Sequence, residues 1–279
     1  MQYRAVICDI DDTLVPAGRT AVSARTRLTL LALKSAGVRI VLATGRAPQV
    51  ALAVAEKIPY DALVCAQGAA LVLPGEKPRA MHTLTEQQMY ALVDFCEDGE
   101  WPLNFVFNEG YFAYVEYERM QRDIPQDDNQ RPWLFDGQDQ NKHLEGMPYG
   151  ACAFLTPQAV QAFQARYGHL GLCFVPFAPG KWDIFSEQIN KALTVQNVLE
   201  QWGVSWQQAA AIGDGAGDVC LLEKAGLSAA MENGCQEAKA AASHLAPPAQ
   251  DDGAAQFFSQ HILRALREEQ AQDDMPHGV

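Results

Sequence analysis

The chain has 279 residues, of which 48% are hydrophobic and 20% are charged, and its formal net charge is −13. This composition is typical of a folded protein with a large core, and the length suits one large domain or a domain that carries an inserted second one. The acidic charge argues against nucleic acid or anionic lipid as a partner, and no apolar run predicts a membrane span. We therefore expect a cytoplasmic protein that binds neither membrane nor nucleic acid.

Cysteine usage predicts buried thiols in a reducing compartment. The cysteines are odd in number, scattered, and mostly set within apolar runs. No pair has the C-x-x-C spacing of a zinc site, so we predict no structural metal. The seven positions are Cys8, Cys65, Cys96, Cys152, Cys173, Cys220 and Cys235.

Apolar strands alternate with helices at both ends of the chain. The first region predicts strands at 3–8, 38–45 and 61–68 and helices at 22–36 and 48–57. The last region predicts helices at 190–202, 217–225, 235–241 and 253–268 and strands at 208–212 and 227–231. Such alternation is typical of a parallel sheet with helices on both faces.

Between these regions the pattern changes. The segments "LNFVFN" and "YFAYVE" alternate aromatic and other residues on either side of Glu109-Gly110, which predicts an antiparallel hairpin. Helices are predicted at 85–98 and 157–168, further strands at 149–155, 171–175 and 181–186, and irregular chain at 118–148. We therefore predict an α/β fold with a doubly wound, mainly parallel Rossmann-like sheet at 1–82 and 188–279. An α+β domain is inserted at 83–187.

Carboxylates crowd the end of the first strand in "AVICDIDDTLVP". Asp9 and Asp11 flank one residue at the edge of the sheet where ligands bind in such folds. A single Asp there is often only a turn residue. Two close carboxylates repel each other unless a cation is bound, and Mg²⁺ prefers oxygen ligands. The pair therefore predicts a magnesium site that also receives a phosphate.

The chain also supplies the hydroxyl, the backbone amides, the lysine and the further carboxylates that would accompany a bound phosphate. Most of them follow a predicted strand, and the lysine begins a predicted helix. "LATGR" ends the second strand with Thr44 and Gly45, Lys191 begins the helix after the insertion, and "GDGAGD" supplies Asp214 and Asp218. Each has an ordinary alternative: a strand-to-helix turn, a solvent-facing lysine, or helix N-caps. Together the groups indicate a phosphoryl-transfer site.

These residues resemble the ordered motifs of the haloacid dehalogenase superfamily. "DIDDT", "TGR", Lys191 and "GDGAGD" resemble its first to fourth motifs. The insertion between the second and third motifs is similar to the C2B cap of the Cof-type sugar-phosphate phosphatases. The resemblance spans essentially the whole chain and implies a catalytic core with a substrate-specificity cap.

The resemblance also implies a role for each matching residue. Asp9 would attack phosphorus and form an aspartyl phosphate, and Asp11 would protonate the leaving alcohol and then activate water. Mg²⁺ would be held by Asp9, the Asp11 carbonyl and Asp214, and Asp218 would orient Lys191 or a metal-bound water. The phosphoryl oxygens would be held by Ile10, Thr44, Gly45 and Lys191. The candidate substrate mouth comprises Arg46, Gln67 and Gly68.

The chain departs from the family pattern at four positions, one of which is Ala192, where Gly commonly follows the motif lysine and where a helix tolerates Ala well. Gly217 and Gln67 stand where Asn is usual, which predicts weaker catalysis or altered specificity. Asp12 replaces a frequent Gly and is predicted to cap a turn.

The predicted activity is Mg²⁺-dependent hydrolysis of a small phosphorylated metabolite, most simply a sugar phosphate. The alternatives are a phosphosugar mutase of the same fold and a catalytically weakened phosphate-ligand binder. A receiver-type signalling module also uses strand-end aspartates, a Thr and a Lys, but it is much shorter and has no inserted domain. No prediction of oligomeric state follows from the sequence.

Overall fold

The structure is a computed structural model that describes residues 2–124 and 131–273, with the side chains of 131 and 269–273 left undescribed. Across these residues, no helix combines the length and the apolar character that crossing a bilayer requires. The helices are α1 (Ala24–Ser35), α2 (Pro48–Ala55), α3 (Glu86–Asp98), α4 (Tyr117–Asp123), α5 (Pro157–Tyr167), α6 (Lys191–Gln201), α7 (Val219–Leu222), α8 (Gln236–Ala241), α9 (Gly253–Phe258) and α10 (Arg264–Asp273). The strands are β1 (Ala5–Cys8), β2 (Arg39–Ala43), β3 (Ala62–Cys65), β4 (Ala70–Val72), β5 (Arg79–Ala80), β6 (Leu103–Val106), β7 (Tyr111–Val115), β8 (Leu134–Asp136), β9 (Gly150–Phe154), β10 (Leu172–Ala178), β11 (Lys181–Ser186), β12 (Ala209–Gly213), β13 (Leu227–Met231) and β14 (His244–Ala246).

The chain divides into two compact units. The first comprises Met1–Ala43, Val54–Ala62 and Val195–Val279, and the second comprises Thr44–Ala53 and Leu63–Thr194. The predicted domain boundaries, 1–82 with 188–279 and 83–187, stay a prediction.

The first unit is built on parallel strands in the order β14-β13-β12-β1-β2. Its strands β1, β12 and β13 are buried at every position, as continuous apolar runs in parallel sheets are. Cys8 pairs with Ile212 on one side and with Leu42 on the other. The carboxyl ends of β1 and β12 therefore meet at one edge. The predicted α/β class with a mainly parallel sheet is confirmed.

Helices of the first unit pack in pairs, α1 with α9 and α7 with α8. Helix α1 begins where the Ser23 hydroxyl accepts a hydrogen bond from the Thr26 N–H at 3.0 Å. The helix predicted at 253–268 consists of α9 and α10, joined by a π-helical turn at Ser259–Leu263. Strand β14, which the sequence did not predict, adds a three-residue strand to the sheet.

The second unit contains an antiparallel meander and a larger sheet. Strands β3, β4 and β5 form the meander. The larger sheet has the order β10-β11-β9-β6-β7-β8, antiparallel except for the β7–β8 pair. The predicted hairpin is present as β6 and β7, and the insertion has the predicted mixture of helices and antiparallel strands.

Aromatic side chains of the larger sheet pack with one another and with its helices. Phe105 is fully buried, and its ring meets the Tyr114 ring edge-on at 4.9 Å between centroids. On the helical side, Phe163 of α5 stacks edge-on against Phe95 of α3 at 5.3 Å. These rings join α3, α5 and the sheet in one apolar core.

The prediction of irregular chain at 118–148 is wrong in part. Helix α4 and strand β8 fall within it or at its edge, and residues 125–130 lie outside the described residues. Met120 of α4 is fully buried in a small cluster with Ala113 and Leu134. One buried side chain per short element gives no periodicity, so the sequence pattern did not reveal either element.

Candidate active site

Three carboxylates meet where β1 and β12 end. Asp9, Asp214 and Asp218 each offer an oxygen atom, and these atoms lie within 4.8 Å of one another. Asp9 and Asp218 are 6% and 2% exposed, so two of the charges are removed from water. Buried like charges at this spacing are unfavourable unless a cation compensates them. An all-oxygen donor set of this kind fits a hard divalent cation such as Mg²⁺.

Asp218 also shapes the loop after β12. Its Oδ2 atom accepts hydrogen bonds from the Asp214 N–H at 3.1 Å and the Gly215 N–H at 3.0 Å. A Cβ atom on Gly213 would lie 2.6 Å from the Asp218 side chain, so only glycine fits there. The Asp218 carboxylate therefore makes cap-like hydrogen bonds and also belongs to the cluster of three carboxylates. Its interpretation as an N-cap is compatible with its interpretation as a site residue.

Thr13 is a site residue that the sequence analysis missed. Its hydroxyl donates to Asp214 Oδ1 at 2.8 Å, and the side chain is 2% exposed. The Asp214 carbonyl accepts from the Cys235 N–H at 2.8 Å, so both ends of this aspartate are held. The signal was present in the last letter of "DIDDT", which received no role.

The loop after β1 turns tightly around Ile10. The Ile10 carbonyl accepts from the Leu14 N–H at 3.0 Å and the Val15 N–H at 2.8 Å, and Ile10 is fully buried. The backbone of Asp11 forms an isolated β-bridge with that of Val15 in this turn. The Asp11 side chain is not one of the clustered carboxylates among the described residues, and the expected role of the Asp11 carbonyl as a metal ligand stays a prediction.

Asp12 caps the same turn, as predicted. Its φ of +53° lies in the left-handed region, which explains why glycine is frequent at this position in the family. The Asp12 carboxylate accepts from the Ala17 N–H at 2.7 Å, and the Asp12 carbonyl accepts from the Asn233 side chain at 2.8 Å. Burial raises the pKa of the Asp12 carboxyl, although the Ala17 N–H opposes this effect.

In the second unit, backbone hydrogen bonds join Thr44 and Arg46 to the loop after β3. Thr44 Oγ1 accepts from the Arg46 N–H at 3.2 Å, and the Thr44 carbonyl accepts from the Gln67 N–H at 3.2 Å. The Arg46 carbonyl accepts from the Ala66 N–H at 2.9 Å. Thr44 and Arg46 are 1% and 3% exposed, so this predicted phosphate-binding turn is rigidly held.

Gln67 contacts a carboxylate of the larger sheet. Its Nε2 atom donates to Asp183 Oδ2 at 2.7 Å, and the side chain is buried. Both residues line a small cleft together with Gly45, Val106 and Gly150. Asp183 was not predicted as a site residue, since an acid on an insertion strand carries no distinctive pattern.

Lys191 is the first residue of α6 and is only 3% exposed. The helix begins there because Asn190 Oδ1 accepts a hydrogen bond from the Leu193 N–H at 3.0 Å. A buried ammonium at a helix N-terminus adds to the positive end of the helix dipole. Such a position favours a bound anion.

Comparison with known proteins identifies the family. A family model described as haloacid dehalogenase-like hydrolase matches residues 6–258. The chain therefore belongs to the haloacid dehalogenase-like hydrolases, as the motifs predicted, and it is an enzyme of that class.

Individual relatives agree with this assignment. The chain is 21% identical over 273 residues to the 5-amino-6-(5-phospho-D-ribitylamino)uracil phosphatase YcsE of Bacillus subtilis (strain 168). The aligned region covers 94% of this chain and 97% of the relative. A Bacteroides thetaiotaomicron phosphatase of the haloalkanoate enzyme superfamily matches with a TM-score of 0.82 and 20% identity over 92% of this chain and 94% of that one. A subclass IIB sugar phosphatase of the haloacid dehalogenase superfamily matches with a TM-score of 0.78 and 19% identity over 92% and 98%. The two structural matches show a shared fold.

Proposed function

We propose that this protein is a Mg²⁺-dependent phosphomonoester hydrolase that acts on small phosphorylated metabolites, with sugar phosphates as the expected class. The supporting observation is the cluster of Asp9, Asp214 and Asp218 at one edge of a parallel sheet, in a chain that belongs to a hydrolase family. The names of the relatives point the same way, since they are a sugar phosphatase and a phosphatase of a phosphorylated ribitylamino compound.

The acidic cluster supports the proposed metal. Asp9, Asp214 and the Asp11 carbonyl would hold Mg²⁺, and Asp218 would orient Lys191 or a water on the ion. When bound, the ion supplies positive charge that lets a phosphate dianion approach a carboxylate. Thr13 then has a clear purpose, because its hydrogen bond fixes the orientation of the Asp214 carboxylate.

In the proposed reaction the Asp9 carboxylate attacks phosphorus, and the bond from phosphorus to the leaving oxygen breaks. Asp11 gives its proton to that oxygen, so the alcohol leaves neutral. Asp11 then takes a proton from water as the water attacks the aspartyl phosphate, which releases inorganic phosphate and restores Asp9. We propose that the phosphoryl oxygens are held by Ile10, Thr44, Gly45 and Lys191.

Substrate choice is proposed to rest with residues 83–187 as a cap domain, together with Arg46, Gln67 and Gly68. The hydrogen bond between Gln67 and Asp183 supports this proposal, because it brings a carboxylate from the insertion into the cleft beside Gly45. The proposed setting is the cytoplasm, where phosphorylated metabolites occur.

The test is hydrolysis of p-nitrophenyl phosphate and of a panel of sugar phosphates, followed as free phosphate with Mg²⁺ or with a chelator. We expect turnover only with Mg²⁺, and loss of turnover in Asp9→Asn, because an amide is a far poorer nucleophile. Asp98→Asn is the matched control, since the Asp98 side chain is 72% exposed on α3. Turnover that survives chelation or Asp9→Asn would reject the mechanism, and phosphate retained on a second hydroxyl would indicate a mutase.

A further inference from the structure

The loop Ala66–Gly68 has an unusual backbone. Three consecutive residues adopt positive φ angles: Ala66 at +48°, Gln67 at +55° and Gly68 at +105°. Ala66 and Gln67 pay a steric cost there, and such conformations persist only where the surroundings impose them. The loop is also buried, which means that its backbone is fixed by contacts on both sides.

One side of the loop is fixed to the turn that carries Thr44. The Ala66 N–H donates to the Arg46 carbonyl at 2.9 Å, and the Gln67 N–H donates to the Thr44 carbonyl at 3.2 Å. The Arg46 N–H in turn donates to the Thr44 hydroxyl oxygen. The position of the Thr44 side chain is therefore tied to the backbone of the loop.

The other side of the loop is fixed to the first turn of α6. The Thr194 hydroxyl, which is fully buried, donates to the Gly68 carbonyl at 2.6 Å. Gly68 also lies directly against the backbone that precedes the helix: an added Cβ would lie 2.3 Å from the Asn190 carbonyl oxygen and 2.9 Å from the Lys191 nitrogen. The start of α6 cannot move along the loop without breaking these contacts.

We infer that Thr194 is a positioning residue, which acts through Gly68 to set the place of the Lys191 ammonium relative to Thr44. All of these residues belong to the same compact unit. The inference rests on the proposed function, in which Lys191 and Thr44 hold oxygens of one phosphoryl group. Thr194 itself does not touch the substrate.

The expected consequence is a loss of transition-state binding rather than a loss of folded protein. A displacement of a charged group by about 1 Å can cost about 100-fold in rate. Because Lys191 is proposed to bind the phosphoryl oxygens, the same displacement should weaken the binding of orthovanadate. Vanadate mimics the five-coordinate phosphoryl group of the transition state. An inhibition constant does not depend on the fraction of enzyme that is folded, so it separates positioning from stability.

The test compares Thr194→Val with Thr194→Ser in the full chain, using p-nitrophenyl phosphate with Mg²⁺ and orthovanadate as inhibitor. Thr194→Val removes the hydroxyl at nearly constant volume, and we expect kcat/KM to fall and the vanadate inhibition constant to rise by about ten- to hundredfold. Thr194→Ser keeps the donor, so we expect both values within about threefold of the wild type. Thr194→Ala takes the place of the valine variant if that variant does not fold.

Two further variants make the outcomes distinct. Lys191→Met should raise the vanadate constant at least as much as Thr194→Val does. Thr26→Val is the matched control, because Thr26 is also buried and its hydroxyl bonds a distant side chain, Asp252, at 3.3 Å. We expect it to leave the vanadate constant unchanged. An unchanged constant in Thr194→Val beside a raised one in Lys191→Met would overturn the inference alone. Absence of Mg²⁺-dependent turnover in the wild type would overturn the proposed function first.

Discussion

Replacing Thr13 by Val should weaken the binding of magnesium while the fold is kept. The change preserves the volume of a side chain that is 2% exposed, and it removes the donor that faces Asp214 Oδ1 at 2.8 Å. Without that bond the orientation of the Asp214 carboxylate toward Asp9 and Asp218 is less restrained. We expect a metal-binding defect because Asp214 is a proposed ligand of the ion.

The size of the effect follows from the bond. A hydrogen bond to a charged group contributes about 1.5–3 kcal/mol. Since about 1.4 kcal/mol corresponds to a tenfold change in an equilibrium constant, the Mg²⁺ concentration for half-maximal activity should rise about ten- to hundredfold. Losing a hydrogen-bond partner of a metal ligand typically costs the same range in affinity.

The assay is hydrolysis of p-nitrophenyl phosphate over a wide range of Mg²⁺ concentrations, with the melting temperature measured in parallel. Thr13→Ser is the control, because it retains the hydroxyl and should need nearly the wild-type Mg²⁺ concentration. Activation of Thr13→Val by the same Mg²⁺ concentration as the wild type would refute a role of the hydrogen bond to Asp214 in organising the metal site.

Two other predictions concern the turn after β1 and the thiols. Asp12→Ala should lower the free energy of unfolding by about 1–2 kcal/mol more than Asp12→Gly in urea denaturation, because the φ of +53° suits glycine and strains alanine; equal losses would show that only the bond to Ala17 matters. In thiol labelling, the four buried cysteines should react only after unfolding, as burial raises the pKa of Cys96 to about 12 and that of Cys8 still further. Of the seven cysteines, at most three should therefore react in the native protein, and a fourth fast-reacting thiol would contradict the buried assignment.

The parallel sheet and its acidic edge could be predicted because both follow from strong local patterns. Strand β1 is a continuous apolar run that ends just before Asp9, and β12 is another that ends just before Asp214. Parallel strands that are neighbours must end at the same edge, so the meeting of the two carboxylates needed only the correct strand order. The sequence supplied both the runs and the acids.

Other features could not be predicted because their causes are not local. The hydrogen bond from Thr13 to Asp214 joins residues 201 positions apart, and nothing near Thr13 marks its partner. Strands β4 and β5 have three and two residues, too few to show an alternating pattern. Strand β14 is also short, and it pairs with the edge of β13 that faces away from β12.

The two departures from the family pattern that lie in left-handed backbone have different physical explanations. Asp12 replaces Gly at a φ of +53°, and Asp tolerates this conformation because its short side chain bonds the nearby Ala17 N–H. Gln67 replaces Asn at a φ of +55°. Its longer side chain reaches Asp183, while its N–H bonds the Thr44 carbonyl. The strain at Gln67 is therefore balanced by distant contacts, so an Asn at this position would relax the backbone but be too short to reach Asp183. Of the two consequences predicted for this departure, weaker catalysis and altered specificity, we therefore expect the second, because the Gln67 amide is held on Asp183 in the cleft.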